Sequence, residues 1–377
     1  MKSGANLETI KDINNKLILN CLRIKSTSRA EISELTGLSR SAITTITKQL
    51  ISEGQIKEIG TEATPIGRSP ILLDLVKDYR CAMGILFHRK EIAVCIVNLK
   101  FECMETRRLP IEHFTSPEHA TEWAYQEGMD IMTKYHIPKE KCIGIGISSP
   151  GPLNCISGEI FTPPGFALFH HFNPIKYLAT MCDYPVFLNN APVSMAVYEI
   201  LKLNLSNFLY ISVSRGVGGA IVQNKQIYHG FNGFAGEFGH MSVVPNGVPC
   251  LCGNHGCLEC YITKKALENN FNLSSYEEMI DRAYDGNPDA LSIVDYVANM
   301  LATSITNTIN LLDLETVVIS GELNYRHNLL FTKVSKLVND SILRPNTFPV
   351  KVIPSSLEDN DDITHVASIV LQHHFSV

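Results

Sequence analysis

Residues 236–259 read GEFGHMSVVPNGVPCLCGNHGCLE. Cys250, Cys252 and Cys257 form a C-x-C-x4-C run, and His240 stands upstream of it. Three thiolates and an imidazole are the donor set of a tetrahedral zinc site. Gly253 and Gly256 let the chain turn tightly enough for the sulfurs to converge. Four such ligands leave no open position, so the expected site is closed and structural. The competing reading is a group of buried thiols or a disulfide loop, because free cysteines commonly pack as small hydrophobes. The density of the motif favours metal. Glu237 and Glu259 flank the cluster.

Outward from this loop, strands and helices follow one another. From about residue 80, CAMGILF, EIAVCIV and FECMETRRLP read as a β-meander. A helix over 117–135 follows, then the buried strand CIGIGISS and the loop PGPLN. The loop TPPGFALFHHFNP, whose His170 and His171 read as exposed loop residues in preference to ligand-facing ones, leads to a short helix from Ile175. A strand at 186–188 runs into NNAPVSMAVYEIL, a helix from about Ala191. Such steps put loops at the C-terminal ends of strands, where α/β sheets bind ligands. NFLYISVSRGVGGAIVQNKQIYHG reads as a hairpin turning at SRGVGG, and TVVISGEL as another buried strand. A helix at 328–343, a strand at 350–353 and an amphipathic helix at 362–375 complete the chain. The expected division is a first α/β lobe at 80–200, with 362–377 folded back on it, and a second lobe at 201–361 carrying the zinc loop.

The first 79 residues differ in kind. Ile10, Ile13, Leu17, Ile18 and Leu22 recur at helical spacing. Ser28 followed by Glu31 is a capping box opening a short helix, with Ile32 and Leu35 as its inner face and Gly37 as its stop. Ser39 or Ser41 can cap a second helix carrying Ile43, Ile46, Leu50 and Ile51. Two short helices joined at a glycine make a helix-turn-helix. The exposed start of the second, Ser39, Arg40, Ser41, Thr44 and Thr45, suits phosphates and base edges in a major groove, and Lys48 suits phosphate or solvent. Strands at 55–60 and 71–76 enclose TEATPIGRSP and form a wing, with Gly67 and Arg68 placed for a minor groove. A helical oligomerisation module is the bland alternative.

Composition agrees. Residues 1–80 hold 12 Lys+Arg against 9 Asp+Glu, and the remainder 20 against 29, giving −6 in all. A basic head on an acidic body fits a nucleic-acid contact confined to the head. Hydrophobic content of 45% supports sizeable cores. No apolar run reaches membrane-spanning length and MKSGANLETIKDINN is too polar for a signal peptide, so a cytoplasmic protein is expected. Eleven cysteines, an odd number, do not form a disulfide framework.

These residues resemble the ROK family of repressors, open reading frames and sugar kinases, within the actin-like ATPase and sugar-kinase superfamily. GEFGHM with C-x-C-G-x-x-G-C-L-E is similar to its signature. SPGPLN, LNNAPVSMAVYE, SRGVGGAIV and VVISGEL resemble its other blocks in order, and the head joined through GRSPILLDL resembles the repressor branch. The resemblance implies a winged helix-turn-helix followed by a two-lobed, ribonuclease H-like α/β body. It implies zinc on His240, Cys250, Cys252 and Cys257. It also implies a sugar site lined by Glu237, His240, Glu259, Asn189, Asn190 and the loop around Gly151. Carboxylates and amides pair well with vicinal hydroxyls.

The chain departs from the family's kinases at Ser214 and Arg215, in the loop TPPGFALFHH, and at two places that bear on catalysis. The phosphate turn Asp-x-Gly-Gly-Thr is replaced by Leu86, Phe87, His88, Arg89 and Lys90, without the acid or the glycines that cradle phosphate. The Asn-Asp pair that supplies a general base is Asn189 and Asn190, and an amide cannot take the proton. The expected protein is therefore a sugar-responsive regulator, a repressor without kinase activity. It would bind operator DNA and a sugar or sugar phosphate as a homodimer or homotetramer. A ROK-type kinase with a regulatory head and a non-catalytic scaffold are the alternatives.

Overall fold

Apolar spacing and caps build the N-terminal elements in the order the periodicity predicts. The computed structural model describes residues 7–61, 69–344, 347–357 and 363–376. Helix α1 (Leu7–Ile24) buries Ile18 and Leu22 but leaves Ile10 44% exposed. Strand β1 (Thr27–Ser28), which the periodicity does not reveal, precedes α2 (Arg29–Thr36). Ser28 caps α2 by accepting from Glu31 N, while the Glu31 carboxylate takes the Thr27 hydroxyl and Lys25, so the capping box is only half formed. Gly37, at φ 71°, ends α2. Ile32 alone fills the inner face of this two-turn helix; Leu35, expected inside, is 62% exposed. Ser39, not Ser41, caps α3 (Arg40–Ser52). Strands β2 (Ile56–Thr61) and β3 (Ile71–Leu75) pair antiparallel, and β1 joins β3 on its other side. Gly67 and Arg68 lie outside the described residues.

Next come β4 (Cys81–Phe87), β5 (Glu91–Asn98), β6 (Cys103–Pro110), α4 (Pro117–Lys134), β7 (Cys142–Ser148), β8 (Leu153–Asn154), β9 (Glu159–Ile160), α5 (Pro174–Leu178) and β10 (Val186–Asn189). One sheet orders them β10-β7-β4-β5-β6. β4, β5 and β6 form the expected antiparallel meander, and β7 and β10 add in parallel to β4. Helix α6 (Ala191–Leu203) follows β10.

Beyond it lie β11 (Phe208–Val213), β12 (Val217–Gln223), β13 (Gln226–Ile227), α7 (Glu259–Ile262), α8 (Lys264–Phe271), α9 (Tyr276–Tyr284), α10 (Pro288–Leu312), β14 (Thr316–Gly321), α11 (Asn328–Ser341), β15 (Lys351–Pro354) and α12 (Thr364–Phe375). The second large sheet is ordered β13-β12-β11-β14-β15. Its turn between β11 and β12 is Ser214–Gly216 only, and Gly218 and Gly219 belong to β12.

The chain forms two units, residues 1–194 with 363–377 and residues 195–362, and passes from the first to the second inside α6. Each has its own core. In the first, Met83, Ile85, Val94, Ile145 and Ile147 meet Ala120, Ala124 and Ile131 of α4. The opposite face of that sheet receives α12. A Cβ on Gly146 would stand 2.3 Å from Val366 O, so only glycine lets the helix lie so close to β7. The end of α12 meets α1: Asn20 Nδ2 donates to Phe375 O at 2.6 Å, and the Arg23 guanidinium sits 5.5 Å from the Phe375 ring centre. In the second unit, Ile211, Val317 and Ile319 pack with Val297, Leu301 and Ile305 of α10. No described helix is long and apolar enough to cross a membrane.

Candidate metal centre, ligand-edge residues and DNA face

The stretch 236–259 folds on itself as an irregular ribbon of backbone hydrogen bonds. Val243 N donates to Gly256 O at 2.8 Å, Gly256 N to Val248 O at 2.9 Å, Cys250 N to Asn254 O at 2.8 Å and Leu258 N to Met241 O at 2.9 Å. Gly256 has φ +74°, and a Cβ there would stand 1.8 Å from Val244 O. No other residue fits that turn.

The ribbon brings His240, Cys250, Cys252 and Cys257 together, with one ligand atom from each lying within 4.8 Å of the others. His240 Nδ1 is 3.6 Å from Cys250 Sγ, and Cys252 Sγ is 3.7 Å from Cys257 Sγ. Tetrahedral bonds of ~2.3 Å to sulfur and ~2.1 Å to nitrogen place neighbouring donors ~3.6–3.8 Å apart. These two edges match, so the cluster could hold a metal ion, and its soft donors suit zinc. Cys250 and Cys257 are buried and Cys252 is exposed. The Asn254 backbone N–H, foremost, draws the Cys252 thiol below its ordinary value, whereas burial pushes Cys257 up to about 12. A cation would draw both down. A fourth thiol, Cys260, follows the stretch directly and lies beside Cys250, outside the C-x-C-x4-C spacing.

Glu237 is exposed at the turn leading into His240. Glu259 opens α7 half-buried, and its Oε2 accepts Val217 N at 2.9 Å. One Glu259 oxygen thus anchors the β11–β12 hairpin.

In the first unit the parallel pairing of β4, β7 and β10 sets their C-terminal ends at one edge. Phe87 and His88, the loop from Ser148 to Gly151, and Asn189 and Asn190 share that edge. Asn189 is buried, and its carbonyl accepts Ser149 N at 3.0 Å. Asn190 Oδ1 accepts Val193 N at 3.0 Å and caps α6, a role that Asn ahead of Ala-Pro could have signalled. The turn after β4 is tight: His88 N donates to Glu91 O at 3.0 Å, and Arg89 Nε reaches Pro164 O at 2.9 Å. His170 is exposed, with its Nε2 3.1 Å from Pro163 O, and His171 is exposed as well.

On α3, Ser39, Arg40, Ser41, Thr44, Thr45 and Lys48 are all exposed. Arg40, Thr44 and Lys48 fall one turn apart and make a stripe along the helix. Thr44 Oγ1 donates to Arg40 O at 2.8 Å and Thr45 Oγ1 to Ser41 O at 3.1 Å, leaving their lone pairs and methyl groups outward.

Two five-stranded α/β sheets, a Cys3His cluster and an N-terminal head together define a two-unit α/β protein with an added head. The chain belongs to the ROK family, whose model matches residues 82–373. It is similar to a xylose repressor of Bacillus spizizenii, 27% identical over 98% of this chain and 97% of that protein. It is also similar to the DNA-binding transcriptional dual regulator NagC of Escherichia coli K12, 26% identical over 98% and 97%. Among solved structures, a ROK family transcriptional regulator described as a homologue of the E. coli MLC protein superposes with a TM-score of 0.77, at 23% identity, over 97% of this chain and 96% of that one. A ROK family glucokinase from Streptomyces griseus, solved with glucose and AMPPNP, superposes with 0.61 at 18% identity, over 77% of this chain and 98% of the kinase. The expected family and two-lobed fold are thus borne out.

Proposed function

We propose that this protein is a sugar-responsive transcriptional repressor that binds operator DNA through its head and does not phosphorylate its sugar. The observation that carries this is end-to-end alignment, head included, with proteins named xylose repressor and N-acetylglucosamine repressor. The glucokinase matches only the part of the chain that its own length covers. Residues 1–79 act as a winged helix-turn-helix, 80–200 as the first lobe with the C-terminal helix, and 201–361 as the second lobe. The DNA contacts are Ser39, Arg40, Ser41, Thr44, Thr45 and Lys48, with Gly67 and Arg68 from the wing. Zinc is held by His240, Cys250, Cys252 and Cys257. When bound it supplies a fixed scaffold rather than a Lewis acid, since four protein donors fill its shell.

The candidate sugar contacts are Glu237, His240 and Glu259 in the second unit and Gly151, Asn189 and Asn190 in the first. With Nδ1 turned to Cys250, His240 has Nε2 on the other side of its ring, which lets the metal cluster orient a ligand contact. The protein acts in the cytoplasm as a homodimer or homotetramer, and a two-fold dimer requires a pseudo-palindromic operator. The absence of a glycine turn after β4 and the amide at Asn190 support a non-catalytic body.

The test is gel retardation of the DNA upstream of the protein's own coding region, with D-xylose, N-acetylglucosamine and their phosphates added in turn. Retardation altered by one sugar is the expected result. An ATP-coupled assay over the same panel is expected to show no turnover. Failure to bind the DNA, or sustained sugar phosphorylation, overturns the reading.

A further inference from the structure

Glu199 is the one carboxylate in the described chain with a fully buried residue, at 0% exposure, and it stands on α6 just beyond the point where the chain enters the second unit. Hydrogen bonds rather than a salt bridge hold it. Ser355 Oγ donates to Oε1 at 2.5 Å, Ser356 N to Oε1 at 2.8 Å and Ser356 Oγ to Oε2 at 2.7 Å. Both serines lie directly after β15. Ser355 is itself bound into the second sheet: its N–H donates to Ile319 O at 2.8 Å, and its Oγ lies 3.3 Å from the hydroxyl of buried Tyr210 on β11. At its other end α6 is capped by Asn190, next to Asn189 at the ligand edge of the first unit.

Burying a carboxylate without a paired cation is costly, and a well-packed apolar side chain of similar volume commonly serves stability as well or better. Retention of a buried carboxyl group held by three donors therefore points to a fixed arrangement. We propose that Glu199 is a positioning residue of the sugar response. It fastens α6 to the β14–β15 end of the second sheet, so that a change at Asn189 and Asn190 is delivered to the second unit as a rigid-body displacement rather than absorbed by slippage of the helix. The inference rests on the sugar-responsive reading above.

The experiment measures the ratio of DNA affinities with and without D-xylose or N-acetylglucosamine, by fluorescence anisotropy on full-length protein. Wild type is compared with Glu199→Gln, Glu199→Leu and Ser356→Ala. Gln keeps an acceptor for Ser355 and Ser356 N–H and offers a donor to Ser356 Oγ, so its ratio is expected within about twofold of wild type. Leu is expected to bring the ratio to about one while sugar-free DNA affinity stays within about threefold. Ser356→Ala, which keeps two of the three donors, covers the case in which the Leu variant does not fold, and is expected to lower the ratio without changing DNA affinity. A Leu or Ala variant as responsive as wild type overturns the inference, as does parallel loss of DNA binding and response in both. A wild type that ignores every sugar overturns the functional reading, and this inference with it.

Discussion

At the scale of single residues, Cys257 and Gly256 are adjacent and do different work. Cys257 is fully buried and is one of the four proposed ligands, so Cys257→Ser is expected to lose bound zinc, measured by atomic emission on dialysed protein. A loss of ~3 kcal/mol would lower the melting temperature by about 6–12 °C in a unit of this size. Gly256→Ala keeps every ligand but is expected to lose zinc as well, because Val244 O occupies the place of its Cβ. Glu199 carries a pH dependence. Burial, foremost, raises its pKa, so the native state holds the proton more readily than the unfolded chain. Its contribution is therefore fully present below the ordinary carboxyl pKa and is lost as pH rises through the raised value. Thermal melts from pH 7 to pH 5 are expected to show wild type gaining on Glu199→Gln, and comparison with that variant cancels the acid sensitivity of the thiolate cluster.

At the scale of elements, α3 and α12 carry the clearest expectations. Ser39→Ala removes the α3 cap and is expected to cost about 1 kcal/mol of stability. Arg40→Ala and Lys48→Ala are expected to weaken DNA binding and each to lower the salt slope of the affinity by about one, read from anisotropy titrations at several salt concentrations. On α12, burial, ahead of Arg80 and Lys16, lowers His374 to about 4, with Asp12 acting in the opposite sense. The helix thus holds a neutral imidazole. That stability is present above the ordinary His value of ~6.5 and is lost as pH falls through the lowered one. His374→Gln is expected to flatten the acid side of the melting curve by ~1–2 kcal/mol. The start of α3 was readable because its Ser39 cap and apolar spacing are local signals, whereas α12, read as amphipathic, has no side-chain cap and is buried all round from Thr364 to Leu371. Leu35 misled because a two-turn helix has one inward position to fill, and Ile32 holds it.

For the whole molecule, chelation of the metal is expected to abolish the sugar effect on DNA retardation while sugar-free retardation persists. The metal loop and the head are separate pieces of chain, and only the former carries Glu237, His240 and Glu259. Unchanged sugar response in zinc-free protein, checked by metal analysis, would count against that arrangement. The sequence by itself determined the Cys/His grouping of 236–259, the alternation of strands and helices and the short capped helices of the head, because each depends on residue type at short spacing. Only the tertiary structure decided which of the flanking groups are already engaged. Glu259 is tied to Val217 and Asn190 to the start of α6, partners set by strand pairing and helix entry. Glu199 found its serines after β15, across 157 residues of chain. A contact over such a separation leaves no periodic trace in sequence, because it arises only once both elements have been placed by their own packing.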